Sequence, residues 1–142
     1  MSLTSKFGYF PEYSGVTPQG LSDAGGVIPG YTMPVSIAAA GDQTMTGDIL
    51  KAGMLVHDPS GVASNVTTPS AEEIVAALGG GAGSSLDFYH RNVGTGLVTV
   101  VAGAGVTLEG TMTVAAGEQR HFKYVVTAPD AVTVYSMGAS IV

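Results

Sequence analysis

The sequence predicts a mainly β protein: an antiparallel β-sandwich or barrel of jelly-roll type, with one short helix and an extended N-terminal arm. Three observations predict it. Glycine occupies 21 of the 142 positions, and only 11% of the residues are charged, while Val, Thr and Ala abound; this is the composition of short strands and tight turns. From Leu86 onward, apolar-rich runs recur at roughly ten-residue spacing between Gly- and Pro-bearing turns, as strands of a sandwich or barrel do. Half of the aromatic residues, Phe7, Tyr9, Phe10, Tyr13 and Tyr31, fall in the first 31 positions, in a stretch with neither strand nor helix period.

That stretch, residues 1–35, reads as a docking arm. Four of the seven prolines lie there (Pro11, Pro18, Pro29 and Pro34), and each removes a backbone donor and fixes φ, so no continuous central strand can form. Chains that stay unfolded in solution are poor in aromatics; a non-periodic segment with five of them is expected to bury them against a partner surface. Phe7, Tyr9, Phe10, Tyr13 and Tyr31 are therefore the candidate partner-binding residues.

Residues 36–142 form the expected β domain. Val35–Ala39, Thr44–Leu50 and Met54–His57 read as its first strands, with turn chemistry at Gly41-Asp42, at Gly53 and at Asp58-Pro59-Ser60-Gly61, the last fitting a type I turn. A helix is expected over about 69–78. Thr68-Pro69 and Ser70 with Glu73 offer competing N-termini, Ala71, Ile74, Val75 and Leu78 share one apolar face, and Gly79-Gly80-Gly81 ends it. A Gly-rich linker, 79–85, leads to a β-meander over 86–138. Its strands are Leu86–Asn92, Leu97–Val101, a nine-residue alternating run from Val106 to Val114, His121–Thr127 and Ala131–Met137. Thr99–Gly103 also echoes Thr113–Gly117, as hairpin regularity or as a trace of duplication.

Composition excludes several functions. The five cations, Lys6, Lys51, Arg91, Arg120 and Lys123, are scattered singly in a chain of net charge −6, so no basic stripe exists to neutralise phosphates and no direct nucleic-acid partner is expected. With no cysteine, thiol catalysis and Cys-ligated metals are out. Every apolar run is broken well before the roughly 20 residues of a membrane helix, and the N-terminus has no signal-peptide pattern. His57, His90 and His121 each stand alone in their strands, and no nucleophile-elbow, P-loop or dinucleotide fingerprint is present. No enzyme activity, cofactor or metal is expected: His57 and Asp58 point to opposite faces of a strand, and Asp42 and Asp48 read as turn residues. Phe88-Tyr89-His90-Arg91 and Arg120-His121-Phe122-Lys123-Tyr124 split by alternation into one core half and one rim half.

The runs Leu86-Asp-Phe-Tyr-His-Arg-Asn-Val-Gly, Val98-Thr-Val-Val-Ala-Gly-Ala-Gly-Val-Thr-Leu-Glu-Gly, Val114-Ala-Ala-Gly-Glu and Ala131-Val-Thr-Val-Tyr-Ser-Met-Gly resemble the C-terminal β domain of tailed-bacteriophage virion proteins. Capsid decoration (cement) proteins are the nearest sense of the resemblance, which covers about residues 69–138. Leu50-Lys-Ala-Gly-Met-Leu-Val-His-Asp-Pro-Ser-Gly is similar to a turn-strand element of small head-decoration proteins. The resemblance implies a virion structural protein on the capsid exterior, made in the host cytoplasm. It would form a homo-oligomer, a trimer, and clamp the major capsid protein across capsomers with its arm. The alternative is a tail-fibre or receptor-binding module that recognises host surface glycans through Tyr89 and Tyr124.

Overall fold

A computed structural model describes residues 34–142. The five candidate arm residues, Phe7, Tyr9, Phe10, Tyr13 and Tyr31, lie outside the described residues. The chain is mainly β, with ten strands and two helices in the described part. In order these are β1 (Val35–Ala38), β2 (Gln43–Thr44), α1 (Gly47–Lys51), β3 (Met54–Asp58), β4 (Ser64–Thr67), α2 (Ala71–Leu78), β5 (Ser85–Asn92), β6 (Val98–Val101), β7 (Val106–Glu109), β8 (Thr113–Val114), β9 (Glu118–Ala128) and β10 (Ala131–Ile141). A six-stranded sheet in the order β1-β3-β5-β9-β10-β7 and a four-stranded sheet β2-β4-β6-β8 close on one core. No helix among the described residues is long and apolar enough to cross a membrane.

Both sheets are mixed, where the sequence reading expects antiparallel pairing throughout. β1, β3 and β5 run parallel in the large sheet, and β2, β4 and β6 run parallel in the small one. The cause lies in the connections. Parallel neighbours need a crossover, and here it is a circuit: a large-sheet strand, a small-sheet strand, a helix, and back. β1-β2-α1 is one such circuit, β3-β4-α2 the next, and β5-β6 begins a third. Register pairs Val35 with Leu55 and Leu55 with His90 in one sheet, and Gln43 with Val66 in the other. The helices stack as well: a Cβ added to Gly47 would lie 3.3 Å from that of Ala77.

α1 corrects the expected strand Thr44–Leu50. Thr46 caps it, its hydroxyl accepting from the Ile49 N–H at 3.3 Å, and Asp48 sits in the first turn, where the helix dipole favours a carboxylate. The short turn delivers Leu50 to the core fully buried, so packing outweighs alternation. For α2 the competing N-termini resolve to Ser70, whose hydroxyl accepts from Glu73 N–H at 3.2 Å; Gly79 ends the helix in the left-handed region at φ 68°. Thr68 is instead a buried bracket between circuits, accepting from Gly103 N–H at 2.9 Å.

Two further local expectations change. In the turn after β3 the hydrogen bond runs from Val62 N–H to Pro59 O, and Ser60 and Gly61 have φ of 56° and 79°. Positive φ at both central residues is the requirement of a type I′ turn, not of type I. The alternating run 106–114 is two strands in different sheets. Gly110, at φ 95°, lets the chain leave β7 in the large sheet and enter β8 in the small one. The echoing segments 99–103 and 113–117 begin on paired strands, β6 and β8 running antiparallel with Val98 opposite Val114 and Thr99 opposite Thr113.

Asn92 holds the end of β5 to this framework. Fully buried, it donates from Nδ2 to Gly96 O at 2.7 Å and to Val114 O at 2.9 Å, and its Oδ1 accepts from Gly94 N–H at 3.0 Å. Asn92→Ala leaves those three backbone groups without the partner that replaced water. We expect a loss of about 3 kcal/mol in equilibrium urea unfolding; a loss below about 1 kcal/mol would show that water takes over the contacts.

Candidate functional site

The face of the large sheet turned away from the core brings aromatic, imidazole and charged side chains together. Alternation along β5 buries Phe88, His90 and Asn92 and turns Asp87, Tyr89 and Arg91 outward; along β9 it buries Phe122, Tyr124 and Val126 and turns Gln119, His121 and Lys123 outward. The split of both aromatic clusters into core and rim follows the sequence reading. Register then sets these residues in rows across the strands. Met54, Tyr89, His121 and Gly138 form one row, and Asp87, Lys123, Tyr135 and Glu109 the next.

Tyr89 and His121 stack with ring centroids 4.6 Å apart and planes within 16°. His121 Nε2 lies 2.8 Å from Asp87 Oδ1, and Lys123 Nζ 3.4 Å from the same oxygen. The His121 hydrogen bond, with help from the Lys123 charge, holds the Asp87 carboxyl below the usual carboxylate range. Beside this cluster, Tyr89, Gln119, His121, Met137, Gly138, Ala139 and Ser140 line an open hollow of about 300 Å³. The sequence reading did not anticipate it, because the β10 wall depends on a register shift between Ser136 and Gly138. Among the described residues no hydroxyl is hydrogen-bonded to His121.

Tyr124 is not part of this face. It is 1% exposed and meets Phe88 edge-on, centroids 6.0 Å apart, and burial pushes its hydroxyl pKa up. Of the two tyrosines expected to bind glycans, only Tyr89 can reach a ligand, and one side of its ring already faces His121.

Pairing of β3 with β5 also brings together two histidines that stand alone in the sequence. His57 and His90 are 0% and 1% exposed, with ring centroids 5.6 Å apart. Neither ring nitrogen of His90 has a hydrogen-bond partner, and those of His57 make no well-formed hydrogen bond, the Ala39 backbone being the nearest candidate. Burial disfavours the charged form: it pushes His90 down to about 3, with the neighbouring His57 adding to the effect. Burial lowers His57 too, opposed by the Ala39 backbone and the Asp58 carboxylate. Both rings are therefore neutral in the folded domain at neutral pH. Asp58 itself turns away and accepts from Ser60 N–H at 2.9 Å, while Asp42 accepts from Asn65 N–H at 2.9 Å. Among the described residues no three metal-ligating side chains converge.

Compared with protein-family models, with curated proteins and with solved structures, the chain matches none.

Proposed function

We propose that this chain is a virion structural protein that decorates and stabilises a bacteriophage capsid, working as a homo-oligomer and gripping the major capsid protein through its N-terminal residues. The observation that carries the proposal is the loading of residues 1–31 with Phe7, Tyr9, Phe10, Tyr13 and Tyr31 among prolines and glycines. A segment of that kind, laid on a shell, loses conformational entropy, and aromatic burial and strand addition to the shell offset the loss. Several arms on one oligomer raise the effective concentration of each, so weak single contacts sum to firm attachment. The sparse charge of the chain suits a protein that spends its working life against other proteins. The receptor-binding alternative ranks second because it has lost Tyr124 to the core.

The test is co-sedimentation with capsid-like particles of the full chain and of a chain lacking residues 1–31. We expect the full chain to pellet with particles and the shortened chain to remain in the supernatant. Equal binding by both would remove the arm from the mechanism.

A further inference from the structure

Arg91 stands apart from the other described cations. Lys51 pairs with Asp48, Arg120 with Glu118 and Lys123 with Asp87, whereas Arg91 has no acidic partner among the described residues. Its Nε is shut off from solvent without a hydrogen-bond partner. Asp58 lies on the same face, diagonal to Arg91 through the pairing of Val56 with Arg91, but its carboxylate accepts from Ser60 N–H instead. A guanidinium stays charged at neutral pH, so an Nε–H with neither water nor acceptor is a standing cost.

Register sets this group at the rim of the hollow on the outer face. Arg91 lies directly opposite Gln119, and Gln119 opposite Ser140, so the three form the row next to Tyr89, His121 and Gly138. Opposed side chains on one face have Cβ atoms about 5 Å apart, within the span of an arginine stem. Gln119 and Ser140 line the hollow of about 300 Å³ together with Tyr89 and Met137. Its walls thus offer an amide and two hydroxyls beside an aromatic ring and a thioether, the mixture that holds a small hydroxylated ring. Turning the guanidinium toward the hollow breaks no hydrogen bond at Nε, and an anion seated there gives Nε the acceptor it lacks.

We propose that the hollow binds a carboxylated sugar, Arg91 taking the carboxylate in a two-pronged grip and Gln119, Ser140 and Tyr89 taking the ring and its hydroxyls. Charge and size select this class. A carboxylate fits the planar fork of a guanidinium, and one unpaired cation balances a monoanion; a phosphate dianion would leave an excess negative charge against a chain of net charge −6. Asp87, the next carboxylate beyond Tyr89 on β5, is already engaged by His121 at 2.8 Å and Lys123 at 3.4 Å. The volume lies at the lower end of small-molecule sites and suits one sugar ring rather than a longer chain. The site uses neither the N-terminal residues nor an oligomer, so it goes beyond the decoration reading and stands or falls independently of it.

The test is an NMR titration of the isotope-labelled full chain with D-glucuronate, N-acetylneuraminate, D-glucose and glucose 6-phosphate, repeated on two variants. Arg91→Met removes the charge and keeps most of the stem, and Ser140→Tyr fills the hollow from an exposed position that the core does not need. Circular dichroism verifies that each is folded. We expect saturable shifts of the Arg91 Nε–H and Gln119 side-chain amide signals with at least one of the two acids, affinity about tenfold weaker for glucose, and a loss of about tenfold in either folded variant. No saturable shift with either acid, equal affinity for glucose, a preference for glucose 6-phosphate, or undiminished binding by the folded variants overturns the proposal.

Discussion

Lowering the pH from about 7.5 to about 4.5 is expected to cost the folded domain about 3 kcal/mol through His90 alone. The folded pKa lies near 3 against 6.5 for the free side chain. Above 6.5 neither state holds the proton. Below it the unfolded chain takes up a proton that the folded domain refuses, so stability is complete above 6.5 and falls by about 1.4 kcal/mol per pH unit toward 3. His57 is shifted in the same direction and steepens the fall. Asp87 also has a lowered pKa, but its contribution disappears only below the ordinary value of 3.8, outside this window. Urea midpoints measured at half-unit pH steps would give the slope. The variant carrying both His57→Leu and His90→Leu is expected to flatten the profile between 6.5 and 4.5 while matching or exceeding wild-type stability at pH 7.5, because buried ring nitrogens without well-formed hydrogen bonds leave the core. A double variant whose profile runs parallel to the wild type would place the acid sensitivity elsewhere.

How much of this architecture the sequence discloses depends on how local each cause is. α2 is legible: its cap, its apolar face and its terminal glycine are contiguous. β5, β6 and β3 are legible because alternation and turn residues bound them closely. α1 is not, since five residues are too few to show a helical period and the same residues pass as an alternating strand. The repeated circuit is hidden for another reason. Thr46-Gly-Asp-Ile-Leu and Ser70-Ala-Glu-Glu-Ile occupy equivalent places, each a capping hydroxyl followed four residues later by a fully buried aliphatic side chain. The two segments share a small residue and a first-turn carboxylate as well, Gly47 with Ala71 and Asp48 with Glu72, but five residues are too short a match to stand out, and the loops between circuits differ in length. The alternation from Val106 to Val114 is genuine on either side of Gly110, so nothing in the period marks the change of sheet.

The candidate site divides along the same line. Alternation alone separates Tyr89 from Phe88, and His121 and Lys123 from Phe122 and Tyr124, but it does not say which half faces the core, and the expectation that Tyr124 meets a glycan took the buried half of β9. The stack of Tyr89 on His121 requires the antiparallel register of β5 with β9, and the meeting of His57 with His90 requires the parallel register of β3 with β5. Pairings between strands distant in the chain leave no mark in the spacing of residues. The glycines illustrate the difference further: several read as turn punctuation, yet Gly96 and Gly103 lie against the backbone of a neighbouring circuit.

Gly96→Ala is the sharpest test of that stacking, with an expected loss of about 3 kcal/mol or more and a fold that fails near physiological temperature. Gly96 lies in the turn between β5 and β6 and packs on the turn that joins β3 to β4. A Cβ there would sit 2.6 Å from Val62 C and 2.8 Å from Val62 N, and closer still to Val62 O. All three are backbone atoms, so relief requires that one turn lift off the other rather than that a side chain rotate. Gly103, whose Cβ would lie 2.7 Å from Pro69 O and 3.0 Å from Pro69 C, makes the same close approach at the next corner. Gly81→Ala is the control. No atom lies within 4 Å of its Cβ position and its φ is outside the left-handed region. Losing a glycine there removes freedom from the unfolded chain and is expected to be neutral or to stabilise by about 0.5 kcal/mol. Thermal unfolding of the two variants side by side separates contact from chain entropy. If Gly96→Ala melts within a few degrees of Gly81→Ala, the turns are not in the backbone contact that joins the second circuit to the third.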